Sequence, residues 1–175
     1  TCDIRLCTYI EIKSTDVKEP SLRCKNLLNI NKYPFKEGYE LKNSNTDTEG
    51  HGEVTSRTLM FAIKPNTTYT YSIDITVSNN VGSVELFALL YEDSKATAAI
   101  RVNQTSWVPD STEVARKSLT FTTPDIEGLY CELRVDNNLS TDGNESIVSF
   151  ANIQLEEGTQ ATEYEPYCGT SKTIY

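Results

Sequence analysis

The stretch Thr68 to Val77, TYTYSIDITV, alternates apolar and polar side chains over its whole length. Tyr69, Tyr71, Ile73, Ile75 and Val77 share one face of an extended chain, and Thr70, Ser72, Asp74 and Thr76 share the other. A helix would scatter both sets around its circumference, so this segment is a strand with one face in a core. The same period recurs. Ser83 to Tyr91 sets Val84, Leu86, Ala88 and Leu90 against Glu85, Phe87, Leu89 and Tyr91. Further strands are predicted over Arg57 to Ile63, Ala99 to Asn103, Lys117 to Thr123, Leu129 to Asp136 and Ile147 to Leu155, about eight in all. In the last of these Ile147, Ser149, Ala151, Ile153 and Leu155 are expected on one face, with Val148, Phe150, Asn152 and Gln154 opposite. Turn residues recur every eight to twelve positions, as in Asn79-Asn80-Val81-Gly82, and helical spacing is confined to a turn near Ser111 to Val114. The pattern predicts an all-β, antiparallel β-sandwich. Its core is predicted from Tyr71, Ile73, Ile75, Leu86, Leu119, Phe121, Leu133, Val135 and Ile153.

A chain of 175 residues is enough for one domain with a real core. Hydrophobic residues make up 38%, and Thr, Ser, Asn and Tyr are abundant, which suits a sandwich with polar outer faces. The formal net charge of -9 and the absence of a basic stripe disfavour nucleic acid or an anionic membrane as the main partner, so neither is expected. No apolar run is long enough to span a bilayer as a helix. The opening residues lack the succession of a signal peptide, and a chain beginning with Thr reads as a fragment or a processed piece.

Four segments are informative beyond their periodicity. They are Lys25-Asn26-Leu27-Leu28, Lys64-Pro65-Asn66-Thr67-Thr68-Tyr69-Thr70, Leu119-Thr120-Phe121-Thr122-Thr123-Pro124, and the run SFANIQLEEGTQATEYEPY from Ser149 to Tyr167. In this order they resemble the jelly-roll module of phage tail and baseplate proteins, which is similar to the carbohydrate-binding modules of bacterial glycoside hydrolases. The resemblance implies a sandwich over residues 24–168, a short N-terminal extension over 1–23 with one strand's worth of alternation and a linker, and a C-terminal tail over 169–175. It also implies a non-catalytic carbohydrate-binding module that adheres to host-surface polysaccharide or cell-wall glycan beside other tail-protein modules. The expected location is the virion, in a phage tail assembled in the bacterial host cytoplasm. The alternative within the same fold is a structural spacer that binds no sugar.

Cys24 and Cys168 bracket the module and come within bridging distance if its first and last strands are neighbours, although a reducing cytosol opposes a disulfide. Cys131 alternates in phase with Leu129, Leu133 and Val135 and reads as a buried thiol, while Cys2 and Cys7 have no metal-ligand spacing. Related jelly rolls often hold a structural calcium through a last-strand carboxylate. Here the corresponding Phe150-Ala151-Asn152-Ile153 carries none, and Asp142-Gly143-Asn144 reads as a hairpin turn. No metal and no cofactor are expected.

The chain has one histidine, His51, between two glycines, and no metalloprotease, phosphate-loop or nucleophile-elbow motif. Acid pairs such as Glu156-Glu157 fall in turns, so no enzymatic activity is expected. Sugar binding needs aromatic rings for the apolar faces of pyranoses and planar polar side chains for the hydroxyls. The candidate carbohydrate-binding residues are Phe87 and Tyr91 on one strand, Tyr130, Glu132 and Arg134 on another, and Trp107 in a loop-like run from Gln104 to Pro109. Phe87 and Tyr91 face away from the clearest core positions, and burial within a second small cluster is the competing reading for that face. Core or lid packing competes likewise at Trp107.

Overall fold

The computed structural model of the chain describes residues 25–29, 39–43, 51–55, 60–78, 81–95, 97–139 and 145–168. Among them are nine strands and no helix: β1 (Tyr39–Asn43), β2 (His51–Thr55), β3 (Phe61–Ala62), β4 (Thr68–Val77), β5 (Val81–Tyr91), β6 (Arg101–Trp107), β7 (Ala115–Thr122), β8 (Tyr130–Leu139) and β9 (Ser146–Glu157). One sheet runs β1-β9-β4-β7 and the other β2-β8-β5-β6, with β3 also on β8. Every ladder is antiparallel. Leaving β3 aside, every step along the chain from β1 to β9 changes sheet except β5 to β6. That is the strand order of a jelly roll, with two four-stranded sheets face to face.

The core lies between the sheets. All nine residues predicted for it are buried, and Tyr71, Ile73, Leu86, Leu133 and Val135 reach 0% exposure. Each such aliphatic side chain contributes about 1.5–3 kcal/mol through burial. Strand β4 has the bounds its alternation predicts. Strand β9 corrects the expectation. Ser72 lies opposite Gln154 but Asp74 opposite Ala151, so β9 carries one extra residue there, and Asn152 takes φ 51°. This bulge reverses the phase of the strand. Before it Val148 and Phe150 point inward; after it Ile153 and Leu155 do.

Three further expectations change. Lys36 to Gly52 reads as mostly loop, yet β1 and the start of β2 lie within it. Among the described side chains Leu41 is β1's contribution to the core, and a single aliphatic residue in a polar stretch gives no period to read. Trp107 closes β6 rather than standing in a loop; the polar RVNQTSW is an edge strand on β5. Ser111 to Val114 forms no helical turn. The 1–23 flank and the 169–175 tail lie outside the described residues, as do residues 57–59 of the predicted third strand.

The four motifs are pairs of partners in space. Thr123 Oγ1 donates to the Lys64 carbonyl (2.7 Å) and accepts from the Thr67 N–H (2.9 Å), so KPNTTY and FTTP close one corner together. The Asn26 amide donates to the Ile153 carbonyl (3.0 Å), and the Leu27 N–H to the Leu155 carbonyl (2.8 Å), which lays the incoming chain along β9 beyond β1.

Candidate functional site

The outer face of the β8 sheet gathers five of the six candidate residues. Register places Phe87 opposite Arg134, Leu89 opposite Glu132 and Tyr91 opposite Tyr130. Their inward neighbours Leu86, Ala88, Leu90, Leu133 and Val135 belong to the core, so the five share the opposite face. The Arg134 guanidinium lies 4.7 Å from the Phe87 ring centroid, a cation–π distance. Arg134 Nε also donates to Asp136 Oδ1 at 2.6 Å, and its Nη2 pairs with the other carboxylate oxygen. Tyr91 Oη donates to Glu132 Oε2 at 2.7 Å. Phe87, Tyr91, Glu132 and Asp136 are buried, Tyr91 to 1% and Glu132 to 2% exposure, while Tyr130 and Arg134 are partly open. Phe87 and Tyr91 stand outside the core cluster. Asp136, the carboxylate that orients Arg134, is a polar member of this row that sequence reasoning did not single out. Its place two residues beyond Arg134 on one strand face was the available signal.

Trp107 lies elsewhere. Its partner across the ladder is Val84, a core residue, so it occupies the inward phase at the edge of its sheet. There it packs against the core while remaining partly exposed. The Lys117 ammonium stands 5.3 Å from its ring centroid. An open cleft of about 140 Å³ runs between Trp107 and the edge of the β9 sheet. Its floor includes Ile75 and Val77, and the β6–β7 connection supplies Asp110, Glu113 and Val114 as a wall. The Glu113 N–H donates to Ser111 Oγ (3.0 Å), which orders that wall. Nothing in the periodicity marks these loop residues; only the tryptophan drew attention to the place.

The closing segment is a latch. Both oxygens of Glu156 accept hydrogen bonds, Oε1 from the Thr162 N–H (2.9 Å) and the Gln154 amide (2.8 Å), Oε2 from the Thr162 hydroxyl (2.8 Å). Gln154 Oε1 accepts from the Glu165 N–H (2.8 Å). Gly158, at φ 147°, turns the chain out of β9 while donating to the Thr68 carbonyl and accepting from Thr70 Oγ1. The Lys25 ammonium then pairs with Glu165 at 3.2 Å, so the two ends of the module adjoin. Cys168 is disulfide-bonded, against the expectation from a reducing compartment, and its partner lies outside the described residues. Cys131 is free and buried.

At the bulge, Arg116 donates to Asp74 Oδ1 (2.8 Å), to the Asn152 carbonyl (3.2 Å) and to Ser72 Oγ (2.9 Å), and the Asn152 amide donates to Asp74 Oδ2 (2.7 Å). A guanidinium thus engages the oxygens around the last-strand position where a calcium carboxylate was sought. Among the described residues no three His, Cys, Asp or Glu side chains group as a metal site. His51 lies at the start of β2, opposite Asn138.

No protein-family model matches the chain. No curated protein matches it either. Solved structures do. A family 16 carbohydrate-binding module is 21% identical with a TM-score of 0.45, covering 67% of this chain and 74% of that one. The tripod from the baseplate of bacteriophage Tuc2009 is 18% identical at a TM-score of 0.43, and the match covers 74% of this chain and 49% of that one. A carbohydrate-binding module from the Cellvibrio mixtus lichenase 5A, in complex with cellotriose, is 11% identical at 0.40, covering 73% and 93%. The neighbours among solved structures thus include carbohydrate-binding modules and a phage baseplate protein, and also a cyclase and an α-L-arabinofuranosidase.

Proposed function

We propose that this domain is a non-catalytic carbohydrate-binding module of a phage tail or baseplate protein, adhering to host-surface polysaccharide. The observation that carries the reading is the row on the β8 sheet, where aromatic rings outside the core stand in register with charged partners. Tyr130 and Arg134 are the members open to a ligand. Behind them Phe87, Tyr91, Glu132 and Asp136 hold the row in place through the cation–π contact, the buried Tyr91–Glu132 hydrogen bond and the partly buried Arg134–Asp136 pair. Preorganised planar groups of this kind suit pyranose faces and hydroxyls. The phage-tail setting comes from the four sequence motifs, and with it the virion location and neighbouring tail modules as partners.

The spacer reading draws on a specific observation too: Tyr91 and Glu132 are almost closed to solvent, which a purely structural face would also produce. A glycan array probed with the whole chain and with Tyr130→Ala separates the two. Retention that falls about tenfold or more in a variant with an unchanged circular dichroism spectrum supports the binding face. A folded wild type that no glycan retains makes the domain a spacer.

A further inference from the structure

Strand β6 closes the β8 sheet on one side, and among the described residues its only ladder is with β5. We infer that two copies of this chain join at that edge, β6 against β6 and antiparallel, in a dimer whose two-fold axis passes through Gln104. The joint does not depend on the glycan-binding reading; its consequence for binding does.

Backbone direction comes first. The Leu90 carbonyl accepts from the Ile100 N–H (2.8 Å) and the Ala88 carbonyl from the Asn103 amide (3.1 Å), so alternate carbonyls of β5 aim at β6. Leu90 and Ala88 stand opposite Arg101 and Asn103, which therefore exchange their backbone bonds with β5. The N–H and C=O groups of Val102, Gln104 and Ser106 point the other way, to the open side. Proteins usually blunt such an edge with Lys, Pro or a bulge. Here the register with β5 is unbroken from Trp107 to Arg101, and RVNQTSW holds neither Lys nor Pro. The corresponding edge of the facing sheet, β7, carries Arg116 and Lys117. Apolar side chains are left open here as well: Ile100, Val102 and Val108, on or beside β6, are 43%, 54% and 72% exposed.

The strand is complementary to itself in one register. With Gln104 opposite its own copy, the whole of Arg101–Trp107 overlaps, Val102 faces Ser106, and the open N–H and C=O groups meet as exchanging pairs. Any other register in phase with those groups shortens the overlap. Just past the strand ends Ile100 falls opposite the copy's Val108, which pairs two of the exposed apolar side chains. Gln104 Nε2 donates to Glu85 Oε1 at 3.1 Å, which steadies the side chain and leaves its carbonyl for the copy's amide. Charge is matched at the joint: Arg101, at the start of each β6, faces the end from which the copy's chain runs on to Asp110. Each copy carries a formal charge of -9, but a Debye length of about 8 Å at physiological salt screens the groups far from the joint. An axis perpendicular to the joined sheet leaves both outer faces on one side. Their β8 rows then lie five strand spacings apart, about 24 Å, and two weak contacts with one glycan polymer reinforce each other.

The whole chain is followed by sedimentation velocity from about 5 µM to about 1 mM in roughly 0.15 M salt. A monomer–dimer equilibrium with a dissociation constant on the order of 100 µM is expected, because a joint between two single strands is smaller than a standard interface. Gln104 is exposed, so Gln104→Lys and Gln104→Glu should keep the wild-type circular dichroism spectrum. Each sets like charges against each other on the axis and should weaken the dimer about tenfold or more. An equal mixture of the two should recover the association, since a residue on a two-fold axis meets its own copy. Gln104→Cys gives a measurement free of charge effects: mild oxidation should link the new thiol to its own copy, the facing Cα atoms standing about 5.5 Å apart. A chain monomeric up to about 1 mM, a dimer indifferent to Gln104→Lys, a mixture no tighter than either variant alone, or cross-links that avoid position 104 overturns the joint. Dimerisation by a chain that no polysaccharide retains keeps the joint and removes the glycan-binding reading; retention of a strict monomer does the reverse.

Discussion

Glu156 is the side chain through which the closing motif holds the module shut, and replacing it by Gln is the sharpest perturbation of the fold. Its carboxylate accepts three hydrogen bonds at 2.8–2.9 Å and is 3% exposed. Glutamine sets an amide N–H₂ against donors where an oxygen now accepts. A hydrogen bond to a charged group contributes about 1.5–3 kcal/mol, and three that converge on one carboxylate do not add, so a loss of about 3 kcal/mol is expected. For a domain of this size each kcal/mol shifts the melting temperature by about 2–4 °C, giving a drop of about 6–12 °C. The acid dependence follows from the same contacts. Burial by itself raises the Glu156 carboxyl, but the Thr162 N–H, the Gln154 amide, the Thr162 hydroxyl and Lys25 together outweigh it and hold it below the ordinary value of 4.5. A depressed carboxyl binds fewer protons in the native chain than in the unfolded one. Its stabilisation is therefore complete above pH 4.5 and disappears as the pH falls through the folded value. Thermal melts by circular dichroism between pH 7 and pH 3 should show a gap between wild type and Glu156→Gln that is constant near neutrality and closes in acid (roughly the ordinary carboxylate range and below). A gap below about 1 kcal/mol at pH 7, or one that widens as the pH falls, refutes the reasoning.

Tyr91→Phe removes the donor to buried Glu132 and should cost about 1.5–3 kcal/mol in urea titrations, whereas Tyr91→Ala adds a cavity and should cost about 3–5; equal costs would place little value on the hydrogen bond. Tyr71 is fully buried and its Oη has no hydrogen-bond partner among the described residues, so Tyr71→Phe should be neutral or stabilising by about 1–2 kcal/mol, and a clear loss in melting temperature would contradict the structure at that position. Cys131 should resist thiol reagents until the chain unfolds, since burial pushes its thiol well above the usual range. Peptide mapping without reduction should join Cys168 to Cys24, because Lys25 adjoins Glu165; a bond to Cys2 or Cys7 would contradict that pairing.

The sandwich was legible because its central strands bury one whole face: β4 could be read from Thr68 to Val77, and the nine core residues followed from phase alone. Period-two reading assumes an unbroken pleat, and the bulge at Asn152 broke it, so Val148 and Phe150 were assigned to the wrong face of β9. Strand β1 escaped because Leu41 is its one core residue among the described side chains, and the second half of β6, beyond the predicted Ala99 to Asn103, because an edge strand needs few apolar residues. The candidate face was legible as a set, since alternation alone puts Phe87, Tyr91, Tyr130, Glu132 and Arg134 together once β5 and β8 pair. Their burial was not. Exposure depends on what packs over a face from distant parts of the chain, and no local pattern records it. The cleft was hidden for a related reason: it arises where the edges of two sheets and the β6–β7 connection meet, from residues between Ile75 and Lys117.

The most direct measurement is retention of the whole, folded chain on immobilised host-type polysaccharides, with released reducing sugar assayed in the same samples. Glycan binding without catalysis requires retention on at least one polysaccharide, reversal by soluble competitor, and no reducing ends above the protein-free control. A folded chain that elutes unretarded from every polysaccharide contradicts the binding role. Sugar release abolished by replacing one carboxylate would make the domain an enzyme instead.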